Sequence, residues 1–285
     1  GLWLNGETRP EGFSVDGRLM VVNQALVKRF AKSGDWIAAL LGELLLDVTF
    51  ELPPGVRVRL LDATGITRAG KRTTDRKLHL GLDLGTNRID SVELTDAKAA
   101  ESLERFAVTA GDILVGDRAY GTRAGMASVE EREAFFIVRF AWPSVPLTTA
   151  DGQPFGLFEA LRSLPEARPG EFRVQFQAPD GRTIAVRLVA IRKSEPAAEQ
   201  ARQKALRERT KKGNATVDIR TLEAAGYLFV LTNLPDTITA DSVLQLYRLR
   251  WQIEMKFKTL KSVLHLGNVP ARTDEALRVY VCAKL

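Results

Sequence analysis

Four residues near the carboxyl end of this 285-residue chain have types and spacing suited to phosphate chemistry. They are Tyr247, Arg250, Glu254 and Lys261, within YRLRWQIEMKFKTLK. At about 100° per residue an α-helix gathers all four into an arc of roughly 60°. Leu246, Leu249, Ile253, Phe257, Leu260 and Leu264 form the adjoining apolar stripe, so the stripe docks the helix and the quartet lines its edge. Five basic residues accompany the one acid in this segment. An i, i+4 ion pair between Arg250 and Glu254 is the plain structural alternative. The excess of cations instead suits a carboxylate that shares a metal with a polyanionic backbone.

A hard divalent cation needs further oxygen ligands, and two-metal phosphoryl chemistry needs ions roughly 3.5–4 Å apart. Val56, Val58, Leu60 and Asp62 alternate with Arg57, Arg59 and Leu61, so Asp62 closes the apolar face of a short strand, and Asp117 follows the wholly apolar run Ile113–Gly116, which also reads as a strand. Carboxylates at the ends of neighbouring strands, with Glu254 from a helix packed across them, could build such a site. The structural alternatives are a turn aspartate before Gly65 for Asp62, and an ion pair with Arg118 or Arg123 for Asp117. Asp75, Asp83, Asp90 and Asp112 rank lower, because they begin strands, lie in turns or fall within strands.

The elements that must position these groups follow from periodicity. Helical spacing covers Val21–Leu46. Strands are expected at 56–62, 78–84, 89–94, 113–117 and 135–140, with helices at 97–106 and 123–133. A hairpin is expected around Pro179-Asp180-Gly181, a charged helix over 196–209 and a strand over 227–231. One long helix should run from an Asp241 cap to about Leu266, followed by another from Asp274. The fold class is α/β. The expected division is a partial helical region over 1–50, a mixed-sheet core over 51–141, a β-rich insertion over 142–239, and the second part of the core over 240–285.

Composition narrows the function classes. The chain is 45% hydrophobic and 27% charged, with net charge +6 and a sequence pI near 9.5. These values fit a folded chain with a polyanionic partner. A single cysteine excludes a disulfide framework, and two histidines leave little for a His-based metal site or a Ser-His-Asp triad. Trp36–Leu46 is too short to cross a bilayer and contains Glu43, and the first residues do not resemble a signal peptide. A cytoplasmic location without membrane attachment is expected. The basic run over 201–213 reads either as a solvated face or as a DNA contact.

With these residues in view, the sequence resembles the IS4-type DDE transposases. The spacing of Tyr247, Arg250, Glu254 and Lys261 matches that family's signature at every interval. LLDATGI around Asp62 and GDRAYG around Asp117 resemble its two aspartate regions, and LHLGLDLGTNRIDSVELTDAK its second and third strands. The resemblance implies an RNase H-like core in which Asp62, Asp117 and Glu254 hold two Mg²⁺ ions, with Mn²⁺ as a substitute. It implies cut-and-paste transposition, with strand cleavage and strand transfer at transposon ends and a DNA hairpin between them. Tyr247, Arg250 and Lys261 would grip backbone phosphates. Trp142 and Trp251 are candidates for stacking on a flipped base. The implied partners are double-stranded DNA with terminal inverted repeats, target DNA and a second copy of the chain on DNA, in a prokaryotic, nucleoid-associated setting. The short stretch after Glu254 suggests a shortened C-terminus. The alternative is therefore a catalytically incomplete, DNA-binding remnant of the family.

Overall fold

A computed structural model of the chain describes residues 56–211, 217–262 and 265–284. These belong to one compact unit, Leu52–Leu285. The helix expected over Val21–Leu46, and the whole region 1–50, lie outside the described residues.

Among the described residues nine strands join one mixed sheet. β1 (Val58–Arg68), β2 (Arg76–Asp83) and β3 (Arg88–Asp96) form an antiparallel meander. β4 (Ile113–Gly116) runs parallel to β1, and β5 (Phe135–Val138) runs parallel to β4. The sheet continues through β8 (Tyr227–Thr232) and β7 (Thr183–Arg192) to β6 (Gly170–Gln177), each antiparallel to its neighbour. The order is β3-β2-β1-β4-β5-β8-β7-β6, and β9 (Asn268–Val269) pairs with the far end of β1. The first five strands, with only β2 reversed, have the RNase H-like arrangement. The strands of the intervening segment extend that same sheet.

Alternation divides the sheet's side chains into two sets. Leu61, Leu114, Phe136 and Val138 join Met126 and Val129 of α1 (Arg123–Glu130) in one apolar core. On the other face Leu60, Val115 and Ile137 are also fully buried. Helices α2 (Leu157–Arg162), α3 (Glu195–Lys211) and α4 (Ile219–Ala225) lie between β5 and β8 in sequence. Then come α5 (Ala240–Arg248), α6 (Trp251–Ser262) and α7 (Asp274–Lys284). No helix among the described residues is long and apolar enough to cross a membrane.

Three expectations change. β1 does not end at Asp62. It runs on to Arg68, because β2 pairs with it as far as Ile66 and β9 takes over at Thr67. Asp62 is therefore a mid-strand residue, and a turn aspartate before Gly65 is excluded. The helix expected over 97–106 shrinks to a 3₁₀ turn, Leu103–Arg105, capped by Ser102. Side chains capture the carbonyls that a helix would need: Lys77 donates to Ala99 and Arg105 to Ala100. The long helix from Asp241 is broken at Leu249 and Arg250, and its cap is Thr239, whose hydroxyl accepts from the Ser242 amide.

Buried Arg187 fixes the entry to α5. Its guanidinium pairs with Glu171 at 2.7 Å and donates to the carbonyls of Leu234, Pro235 and Ile238. The loop before α5 is thus tied to β6 and β7. A buried arginine that satisfies this many acceptors holds one geometry, since each partner would otherwise be stranded.

Candidate active site

The parallel strands bring the two aspartates together. Leu60 stands opposite Val115, and Val115 opposite Ile137. Continuing that register by two residues sets Asp62, within β1, in one row with Asp117 and Arg139, which directly follow β4 and β5. Electrostatics agree with the register. Burial pushes the Asp62 carboxyl up to about 6, and the neighbouring charges of Asp117 and Glu254 push the same way. The Ala63 amide and the Arg250 charge oppose the rise. Burial also works against the Arg139 charge, and Asp117 helps to retain it.

Glycines shape the loop after β4. A side chain at Gly116 would meet Tyr120 at 2.7 Å, and one at Gly121 would meet the Arg139 carbonyl oxygen at 2.0 Å. The Asp117–Thr122 loop therefore folds back against the end of β5, with Tyr120 fully buried beneath it. Asp117 accepts from the Ala119 amide at 2.8 Å, and Asp62 accepts from the Ala63 amide at 2.8 Å. Among the described residues Asp117 forms no ion pair with Arg118 or Arg123.

Helices α5 and α6 carry the remaining candidates. α5 packs on β4, β5 and β7, and α6 packs on β1. Between them the hydrogen bonds tighten to i→i+3: Arg250 N to Tyr247 O, Gln252 N to Leu249 O and Ile253 N to Arg250 O. This 3₁₀-like joint rotates the second helix relative to the first. Tyr247 is buried, with the Arg250 guanidinium 5.8 Å from its ring centre. Glu254 is half-exposed and accepts from Arg250 Nη2 at 2.7 Å. Arg250 keeps its Nε–H buried without a partner. Lys261 is exposed, two turns beyond Glu254 on the same side of α6.

The geometry does not bring every expected element into contact. Among the described residues no three His, Cys, Asp or Glu side chains close on a single ion. The donor set still fits a hard cation, because it offers carboxylate oxygens only and the mutual repulsion at Asp62 is what a bound positive charge would relieve. The lower-ranked aspartates are occupied elsewhere. Asp112 pairs with Arg57, Asp90 with Arg59, and Asp75 with Arg68, each at 2.6 Å, while Asp83 accepts from the Thr86 amide.

Trp142 lines a cavity of about 450 Å³ with Phe155, Phe158 and Arg220. The Phe158 ring meets it edge-on at 5.2 Å, and the Arg220 guanidinium lies 5.1 Å from its ring centre. Trp251 is the first residue of α6 and is half-buried. Sequence reasoning missed Arg139 and Lys193. The signal available for them was a basic residue immediately after an apolar strand.

Comparison with known proteins identifies relatives of this chain. A family model described as the transposase DDE domain matches residues 53–285. The transposase for insertion sequence element IS421 of Escherichia coli is 36% identical over 92% of this chain and 72% of its own length. The transposase for insertion sequence element IS231F of Bacillus thuringiensis subsp. israelensis is 26% identical over 61% of this chain and 40% of its own.

Proposed function

Because this chain belongs to the DDE transposases of the IS4 type, we propose that it cleaves and joins DNA at the ends of an insertion sequence, with Asp62, Asp117 and Glu254 as its catalytic carboxylates. One observation carries this assignment. The strand register sets Asp62 and Asp117 in one row, and Asp117 and Glu254, both far away in sequence, act on the charge of Asp62.

DDE transposase domains in general use divalent metal ions. In our reading Asp62, Asp117 and Glu254 would hold two Mg²⁺ ions, with Mn²⁺ able to substitute, and the bound metal would supply nucleophile activation and charge stabilisation at the scissile phosphate. Glu254 exchanges its Arg250 partner for this role. Arg250, with a donor already free, then turns its fork to a phosphate, and Lys261 adds a point charge two turns along. Tyr247, fixed beneath Arg250, sets the direction of that fork.

The reaction sequence is cut-and-paste. Water attacks the phosphodiester at the transposon end and releases a 3′-hydroxyl. That hydroxyl attacks the opposite strand to give a hairpin, which is reopened, and the 3′-end then joins target DNA. Two copies of the chain act on paired ends, in the cytoplasm of a bacterial host.

Cleavage of a duplex carrying a candidate terminal inverted repeat, with Mg²⁺ present, tests this reading. Wild-type chain should nick the duplex, and Glu254→Gln should bind it without nicking. The Arg250–Glu254 pair favours a second reading, a DNA-binding member without strand cleavage. Binding by the wild-type chain with no nick at any Mg²⁺ or Mn²⁺ concentration would select it.

A further inference from the structure

Three cations stand beside the carboxylates without an acid to balance them. Arg118 directly follows Asp117, Arg139 directly follows β5, and Lys193 directly follows β7. β4 and β5 are parallel, and β5 and β7 are each antiparallel to β8. All three residues therefore emerge at the same edge of the sheet. Among the described residues none of them has a carboxylate within 4.0 Å. Among the described residues the Lys193 ammonium donates only to a neutral group, the Ala225 carbonyl, at 2.7 Å. The Lys193 and Gly226 backbones are also joined, at 2.9 Å, so the residue is held in place by main chain.

The three charges also act on one another. Burial brings the Lys193 ammonium down to about 8, and Arg139 and then Arg118 push it the same way. Arg139 is likewise opposed by burial and then by Arg118. Placing like charges together, partly out of water, costs free energy, of which Asp117 offsets a part at Arg139. Two N–H donors of Lys193 and the guanidinium donors of both arginines have no partner among the described residues. An anion with several acceptor oxygens can accept from all three side chains at once.

We propose that Arg118, Arg139 and Lys193 form a seat for one backbone phosphate of DNA, leading the bound strand from the carboxylates toward the end of β7. The seat rests on the reading that this sheet edge faces DNA. Lys193 lies in the segment between β5 and α5, so it gives that segment a direct part in holding the strand. It is a positioning residue, since it touches phosphate away from the reacting bond.

Anisotropy titrations of a mixed-sequence DNA duplex at several salt concentrations test the seat in the full chain. Each phosphate contact contributes about 0.9 to the slope of log affinity against log salt. Lys193→Met should lower that slope by about 0.9 and Lys193→Arg should leave it unchanged. Arg118 is exposed, so Arg118→Ala removes a charge without disturbing the core and should lower the slope by about the same amount. A duplex carrying one neutral methylphosphonate at the seated position should bind wild-type chain and Lys193→Met alike. Wild-type slopes in both Lys193→Met and Arg118→Ala would overturn the proposal, even if Lys193→Met melts early. Nicking by Glu254→Gln would instead reject the carboxylate assignment, and it leaves the slope measurement to judge the seat by itself.

Discussion

The two ends of the parallel strands handle charge in opposite ways. Around the start of β1 the arginines are matched: Arg57 pairs with Asp112, and buried Arg59 with Asp90. At the carboxyl edge, acids collect on β1 and β4 while cations collect on the neighbouring strand ends, and Arg118, Arg139 and Lys193 go unpaired among the described residues. The matched region spends its charges on holding the sheet. Apart from the Arg250–Glu254 pair, the unmatched edge keeps like charges together in both signs, an arrangement suited to receiving a metal on one side and a phosphate on the other.

The contrast can be broken or sharpened by substitution. The largest effect expected is at the unmatched edge: Glu254→Ala should cut the strand-cleavage rate at least about a thousandfold, roughly 4 kcal/mol of barrier. Gel-shift affinity for the same duplex should stay within about twofold, because no phosphate contact is removed. On the matched side Asp90→Ala should do the reverse. It strands Arg59, whose side chain is 3% exposed, and should cost about 3 kcal/mol in urea unfolding with unchanged DNA affinity per folded molecule.

Acid should also strike the matched side. His79 is fully buried, with Nε2 2.9 Å from the Thr95 hydroxyl and Nδ1 unpartnered. Burial brings its pKa down to about 4, and Arg105 and Lys77 push it the same way. The unfolded chain binds a proton near pH 6.5, so it holds more protons than the folded chain between the two values. The part of the stability due to His79 is full above about 6.5 and falls as pH drops toward 4, by roughly 2–3 kcal/mol. Asp62, raised to about 6, works in the opposite direction below that pH, so the His79 part is read from the difference in urea midpoint between wild type and His79→Gln, which should shrink as pH drops from about 6.5 to 4. The smallest effect is at Lys261. Lys261→Ala should leave the melting temperature unchanged and lower the salt slope of DNA binding by about 0.9.

Much of this was legible in the sequence, for identifiable reasons. Wholly apolar Ile113–Gly116 could only be a strand buried on both faces, and Asp117 after it had to emerge at an edge. The helix carrying Glu254 followed from its apolar period. The joint at Leu249 and Arg250 did not, because it contains neither Gly nor Pro. It arises from two docking surfaces, with α5 on β4, β5 and β7 and α6 on β1. The continuation of β1 past Gly65 was hidden for a similar reason. Its partner β9 comes from about two hundred positions later, beyond any local pattern. Ala97–Phe106 looked helical by propensity, but Lys77, 22 positions from Ala99, and Arg105 within the segment took its carbonyls. Arg139 and Lys193 carried no periodic signal, and only strand order shows that they emerge at one edge.

The joint has a mechanical consequence. Tyr247 rides on a block anchored to three central strands, whereas Glu254 rides on one anchored to the strand that bears Asp62. A tilt of β1 would carry Asp62 and Glu254 together, like two teeth on one jaw, and change their gap to Asp117 and Tyr247 on the other.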